Sequence, residues 1–144
     1  MAASAQARIP ETQPEIEKSS DSVSDLAAVE AVVWTYLDGL HEGDTDKLAA
    51  AFHPVSHLYS DDNGNVADLP RDRWLDLVRK RPSPKSQGLP RYDRIVSIDQ
   101  SGPATAFVKL ECAVPPRHFV DYLTLLKTNE GWRVVAKAFK AETR

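Results

Sequence analysis

Cysteine is nearly absent from this chain of 144 residues: Cys112 stands alone, so no internal disulfide can form. It falls among alternating apolar residues and reads as a small core residue rather than a nucleophile. Long apolar runs are missing as well. None approaches the about 18 residues that a membrane-crossing helix needs. Residues 1–22 also lack the apolar centre of a secretory signal. Neither sign of charge dominates, and a net charge of −3 gives no general attraction for nucleic-acid phosphate. The densest basic cluster, residues 71–81, is interrupted by Asp72 and Asp76 and reads as a solvated helix face. There is no phosphate-cradling glycine loop, no nucleophile elbow and no tight metal-ligand motif. The expectation is therefore a cytoplasmic protein with no cofactor, metal, nucleic acid or membrane partner.

What is present fits one domain with a buried core: 42% hydrophobic and 27% charged residues. Residues 1–22 are rich in Ala, Ser, Glu, Gln and Pro. They bury too little surface to offset their ordering entropy, so they are expected to form a disordered tail. The domain proper spans residues 23–144.

Leu26, Val29, Val33, Tyr36 and Leu40 fall at helical spacing and predict a first helix over residues 23–41. Gly43 ends it, and Asp44 or Thr45 starts a short second helix reaching Phe52. Residues 55–60 and 66–69 read as a hairpin around Asp61-Asp62-Asn63-Gly64-Asn65, since Asn-Gly supplies the positive φ angles of a tight turn. A third helix, with Trp74, Leu77 and Val78 as its stripe, runs from Pro70 to Arg81. Residues 82–90 form a loop. Thereafter the period is two, with strands over residues 92–99, 105–114, 118–127 and 132–139. Helices followed by strands predict an α+β domain with helices on one face of a curved antiparallel sheet.

Several segments carry a family resemblance. They are Tyr36-Leu37-Asp38-Gly39-Leu40 with Gly43-Asp44, Ala51-Phe52-His53-Pro54, Phe119-Val120-Asp121-Tyr122-Leu123, and Gly131-Trp132-Arg133-Val134-Val135-Ala136-Lys137. Together they make the chain similar to the nuclear-transport-factor-2-like superfamily, the fold of ketosteroid isomerase and scytalone dehydratase. Within it, the chain resembles the putative lumazine-binding group. The resemblance implies a cystatin-like cone of three N-terminal helices on a curved antiparallel sheet, enclosing an apolar pocket. It also implies a homodimer through the outer sheet face.

Tyr36 and Asp121 are the main candidates for chemistry. The resemblance places Tyr36 where ketosteroid isomerase carries the tyrosine of its oxyanion hole, and Asp121 near the aspartate that assists it. Alternation sets Asp121 on one strand face with Phe119, Leu123 and Leu125, where an acid needs a proton or a partner. The two side chains are expected to converge on one substrate oxygen, or else Asp121 is satisfied by Arg133 or Lys137 and Tyr36 is a core aromatic. The position of the isomerase's base is Ser60 here, so steroid isomerisation is not expected. His57, or Asp61, is the alternative base if the face of His57 and Tyr59 lines the cone. His53, Tyr59, Trp74 and His118 are expected to bind substrate.

The resulting expectation is a protein that binds a small apolar or aromatic molecule. It is either an isomerase, dehydratase or lyase transferring a proton next to a carbonyl, or a non-catalytic binding or interaction module.

Overall fold

The computed structural model describes the backbone of residues 15–144 and the side chains of residues 25–144. The first 14 residues of the expected tail lie outside the described residues. Helix α1 (Glu15–Glu42) starts ahead of the expected residue 23. Its inward stripe is Val29, Val33, Tyr36, Leu37 and Leu40, all buried and three or four residues apart where they adjoin on that face. Leu26, which spacing assigns to that stripe, is 39% exposed. Asp25 is buried beside it. Its carboxylate accepts from Lys127 Nζ at 3.0 Å, Trp132 Nε1 at 3.2 Å and Gln100 Nε2 at 3.2 Å. These three bonds tie α1 to the sheet.

Asp44 caps α2 (Thr45–Ala51), accepting from the amides of Asp46 and Lys47. The two helices pack closely at Gly39, where an added Cβ would stand only 2.8 Å from Leu48 Cδ2.

Six strands follow: β1 (Phe52–Asp62), β2 (Asn65–Pro70), β3 (Arg94–Ser101), β4 (Thr105–Val114), β5 (Arg117–Thr128) and β6 (Gly131–Thr143). They form one sheet in the order β2-β1-β6-β5-β4-β3. Two expectations need correction. Only α1 and α2 precede the strands; α3 (Arg71–Lys80) follows the first hairpin, because Pro70 ends β2 and opens the helix directly. The sheet is also not wholly antiparallel, since β1 pairs in parallel with β6. That pairing is long-range and leaves no local turn signal.

The Asn63-Gly64 turn forms as expected, with φ of 54° and 90°, and the Gly64 amide donates to Asp61 Oδ1 at 3.1 Å. Inward residues alternate along β4 as Ala106, Val108, Leu110 and Cys112, and along β5 as Asp121, Leu123 and Leu125. On α3 the buried residues are Trp74, Leu75 and Val78, while Leu77 is half-exposed. Each fully buried Leu or Val contributes roughly 1.5–3 kcal/mol.

Candidate functional site

Three polar side chains meet inside this apolar shell. Tyr36, from the inward stripe of α1, donates its hydroxyl hydrogen to Asp121 Oδ2 on β5 at 2.5 Å. Lys137, on β6, donates from Nζ to the Tyr36 hydroxyl oxygen at 2.8 Å and lies 3.6 Å from Asp121 Oδ2. Tyr36 and Asp121 are 0% exposed and Lys137 is 5% exposed. The arrangement is a chain, amine to phenol to carboxylate. Cys112 Sγ approaches the same carboxylate oxygen at 3.8 Å, and Asp121 Oδ1 has no hydrogen-bond partner among the described residues.

A lysine turns inward here because β6 carries an extra residue. Thr124 pairs with Ala136 and Leu125 with Val134, so Val135 is unmatched. This bulge reverses the side-chain parity beyond it and aims Lys137 at the interior. The ammonium is then ringed by aromatics: Nζ lies 4.7 Å from the ring centre of Phe139, 5.2 Å from Tyr36, 5.5 Å from Trp74 and 5.8 Å from Phe119. Such faces attract a cation, and Asp121 balances its charge.

Burial, reinforced by the Asp121 charge, holds the Tyr36 phenol well above its ordinary ionisation range. It therefore remains a hydroxyl. Burial also pushes the Cys112 thiol up, with Asp121 adding to it, so this thiol is not a nucleophile.

A cavity of about 110 Å³ adjoins the chain. Leu40, Leu58, Leu69, Trp74, Val114 and Phe139 supply much of its apolar wall. Its polar lining is Tyr36, Lys137, Arg81 and Arg117. Asp121 does not reach the lining; it stands behind the phenol and the amine.

The structure thus joins two of the expected catalytic residues and separates the third. Tyr36 and Asp121 are in contact, but bonded to each other rather than side by side as two donors. Lys137, foreseen only as a possible partner for Asp121, is the member of this buried trio that brings a charge to the cavity wall, which Arg81 and Arg117 also line. His57 is elsewhere. Leu58 faces the cavity, so alternation turns His57 and Tyr59 to the outer face. There they stack at 5.9 Å, and His57 Nδ1 meets Asp68 at 2.6 Å. Ser60 shares the parity of Leu58, while Asp61 serves the turn.

Among the expected binding residues, Trp74 lines the cavity. His53 accepts from the Val55 amide at 3.1 Å. His118 packs on Tyr92 beside a second, broader cavity of about 270 Å³, whose walls carry both charge signs, including Glu111, Lys140 and Glu142. Arg81 and Arg117 were missed by the sequence reading. A basic residue after a helix and another after a two-proline turn carry no signal of a shared cavity.

Helices packed on a curved six-stranded sheet, with a buried polar chain beside a small cavity, define an α+β domain. The model of the family described as putative lumazine-binding matches residues 24–140, and the chain belongs to that family. A curated relative, the aldolase FrzH of Cladobotryum sp., is 24% identical over 123 residues, covering 84% of this chain and 94% of the relative. Among solved structures, an NTF2-like protein of unknown function from Shewanella baltica OS155 has a TM-score of 0.75 at 21% identity. That match covers 85% of this chain and 97% of the other. A ketosteroid isomerase-like protein from Erwinia carotovora atroseptica SCRI1043 has a TM-score of 0.65 at 17% identity, covering 83% and 98%. These structural likenesses are of fold.

Proposed function

We propose that this protein binds a small carbonyl compound in the Lys137 cavity and transfers a proton beside the carbonyl, as a lyase or isomerase without a cofactor. The observation carrying this reading is the Lys137–Tyr36–Asp121 chain, which ends in an amine at the wall of an otherwise apolar cavity. Arginine stays protonated, and the Tyr36 hydrogen is engaged by Asp121. Lys137 is therefore the lining group suited to giving and taking a proton.

The route is short. One proton passes from Lys137 to the phenol oxygen while the phenol hydrogen passes to Asp121. Lys137 becomes a free amine and Asp121 a neutral acid. The net charge of the pair is zero before and after, so no uncompensated charge forms in the dry interior. The amine then removes a proton next to the ligand's carbonyl, and the ammonium it regains balances the enolate. Family membership supports a small-molecule occupant, and the aldolase relative supports carbonyl chemistry, since aldol bonds form and break beside a carbonyl.

The test is hydrogen–deuterium exchange at the carbons flanking the carbonyl of 4-oxopentanoate and 2-pentanone, followed by NMR in heavy water. Wild type should accelerate exchange, and Lys137→Met should not. Native mass spectrometry of the fresh protein would give the class of any co-purified ligand. Binding without exchange would favour the non-catalytic module. On the outer sheet face, Phe107 and Tyr122 stack at 5.7 Å while about 40% exposed, which supports a homodimer through that face. Light scattering of wild type and Tyr122→Glu checks it.

A further inference from the structure

Two guanidiniums at the cavity have no acceptor among the described residues. Arg81 follows α3 and is half-buried. Arg117 opens β5 with its guanidinium 4.9 Å from the Phe119 ring centre. Both line the cavity that holds Lys137. Elsewhere, Arg71, Arg79, Arg91, Arg94, Arg133 and Arg144 each donate to a carboxylate or a backbone carbonyl, and Arg73, also without such a partner among the described residues, is exposed on α3 away from the cavity lining. The side chains of Arg81 and Arg117 find neither among the described residues.

Arg81 is half-buried and Arg117 is exposed, so the cost of unpaired donors falls on Arg81. A guanidinium carries five N–H donors. Burial first, and the charge of Arg117 second, hold Arg81 below its ordinary ionisation range. Around the cavity, three cations (Arg81, Arg117 and Lys137) face one carboxylate, Asp121, which lies behind the lining. The chain as a whole is negative, at −3, so this positive surplus is local. An anion between the arginines would satisfy their donors and remove their repulsion.

We propose that Arg81 and Arg117 hold the carboxylate of a small oxo acid whose carbonyl oxygen reaches Lys137. The proposal rests on the carbonyl reading above and adds the substrate class. A flat carboxylate matches the guanidinium fork. The apolar wall that the arginines and the lysine share suits the short carbon chain that links the two oxygenated ends.

The experiment is titration of the full-length protein with 4-oxopentanoate, 2-pentanone and pentanoate at low salt, read by calorimetry and NMR. The oxo acid should bind about tenfold or more tightly than the neutral ketone. Arg81→Met and Arg117→Met should each weaken oxo-acid binding about tenfold, change ketone binding far less than that, and melt like wild type. Arg81→Lys should restore part of the loss, which a general structural defect would not allow. Equal affinity for the oxo acid and the ketone, no binding of the oxo acid, or indifference to both methionine variants would each overturn the proposal. The carbonyl reading fails separately: pentanoate binding as tightly as 4-oxopentanoate would remove it while leaving the arginine clamp standing.

Discussion

Lys137 and Asp121 sit on adjacent strands two residues out of register. Asp121 pairs with Phe139 and Lys137 with Leu123, yet their charged ends come within 3.6 Å on the inner face. Both are almost fully buried, so neither can fall back on water if the other is removed.

Stability should therefore respond asymmetrically to their removal. Asp121→Leu or Lys137→Met alone leaves a buried charge and should cost about 3–5 kcal/mol. The double variant should recover much of that loss. Urea unfolding of the four proteins gives the coupling energy, and simple additivity would show that the two charges do not interact.

Tyr36→Phe keeps the ring but removes the bridge. It leaves the amine and the carboxylate each short of a partner and should cost about 1–3 kcal/mol. Exchange beside the ketone carbonyl should fall as well. The wild-type phenol has a second signature. Its ionisation is raised in the folded state, so its contribution is complete below the ordinary tyrosine value of 10.0 and is lost as pH rises beyond it. Unfolding free energy should decline above about pH 10, and less so in Tyr36→Phe.

Asp25 behaves in the opposite sense. The Lys127 ammonium, helped by Trp132 and Gln100, holds its carboxyl below the usual value of 3.8. Its contribution is present above that value and disappears as pH falls through the lowered one. Asp25→Asn should flatten the acid limb of the stability curve. A mutant curve parallel to wild type below about pH 4 would refute this.

Cys112 should resist alkylation in the native state. Its thiol is 3% exposed and its ionisation is suppressed. Iodoacetamide should label it only in urea, at a rate that tracks unfolding. Labelling at the rate of a free thiol in native buffer would be inconsistent with this burial.

Much of the architecture was written in the sequence where the signal is local. The α1 stripe, the Asp44 cap, the Asn63-Gly64 turn and the β4 alternation all follow from neighbours along the chain. Resemblance, not spacing, set Tyr36 and Asp121 near each other, but as two donors to one oxygen; the bond between them, across 85 residues, was not foreseen. Lys137 was hidden by the Val135 bulge: counted in twos from Val134, it points outward. His57 erred for the complementary reason, because period two cannot say which of two faces is inner. The parallel partnership of β1 and β6 was invisible for want of any connecting turn.

That partnership has a bearing on how the molecule is made. Phe52 and Leu58 find their strand mates, Val134 and Lys137, only far along the chain, in β6. On a ribosome the early hairpin must wait, with one edge open, until β6 has emerged, and such distant pairings close slowly. The segment that completes the fold also delivers the amine. Polypeptides stopped before residue 131 would lose strand β6 and the lysine together, so the cell would hold few stable half-finished copies that keep the sheet but lack the buried amine.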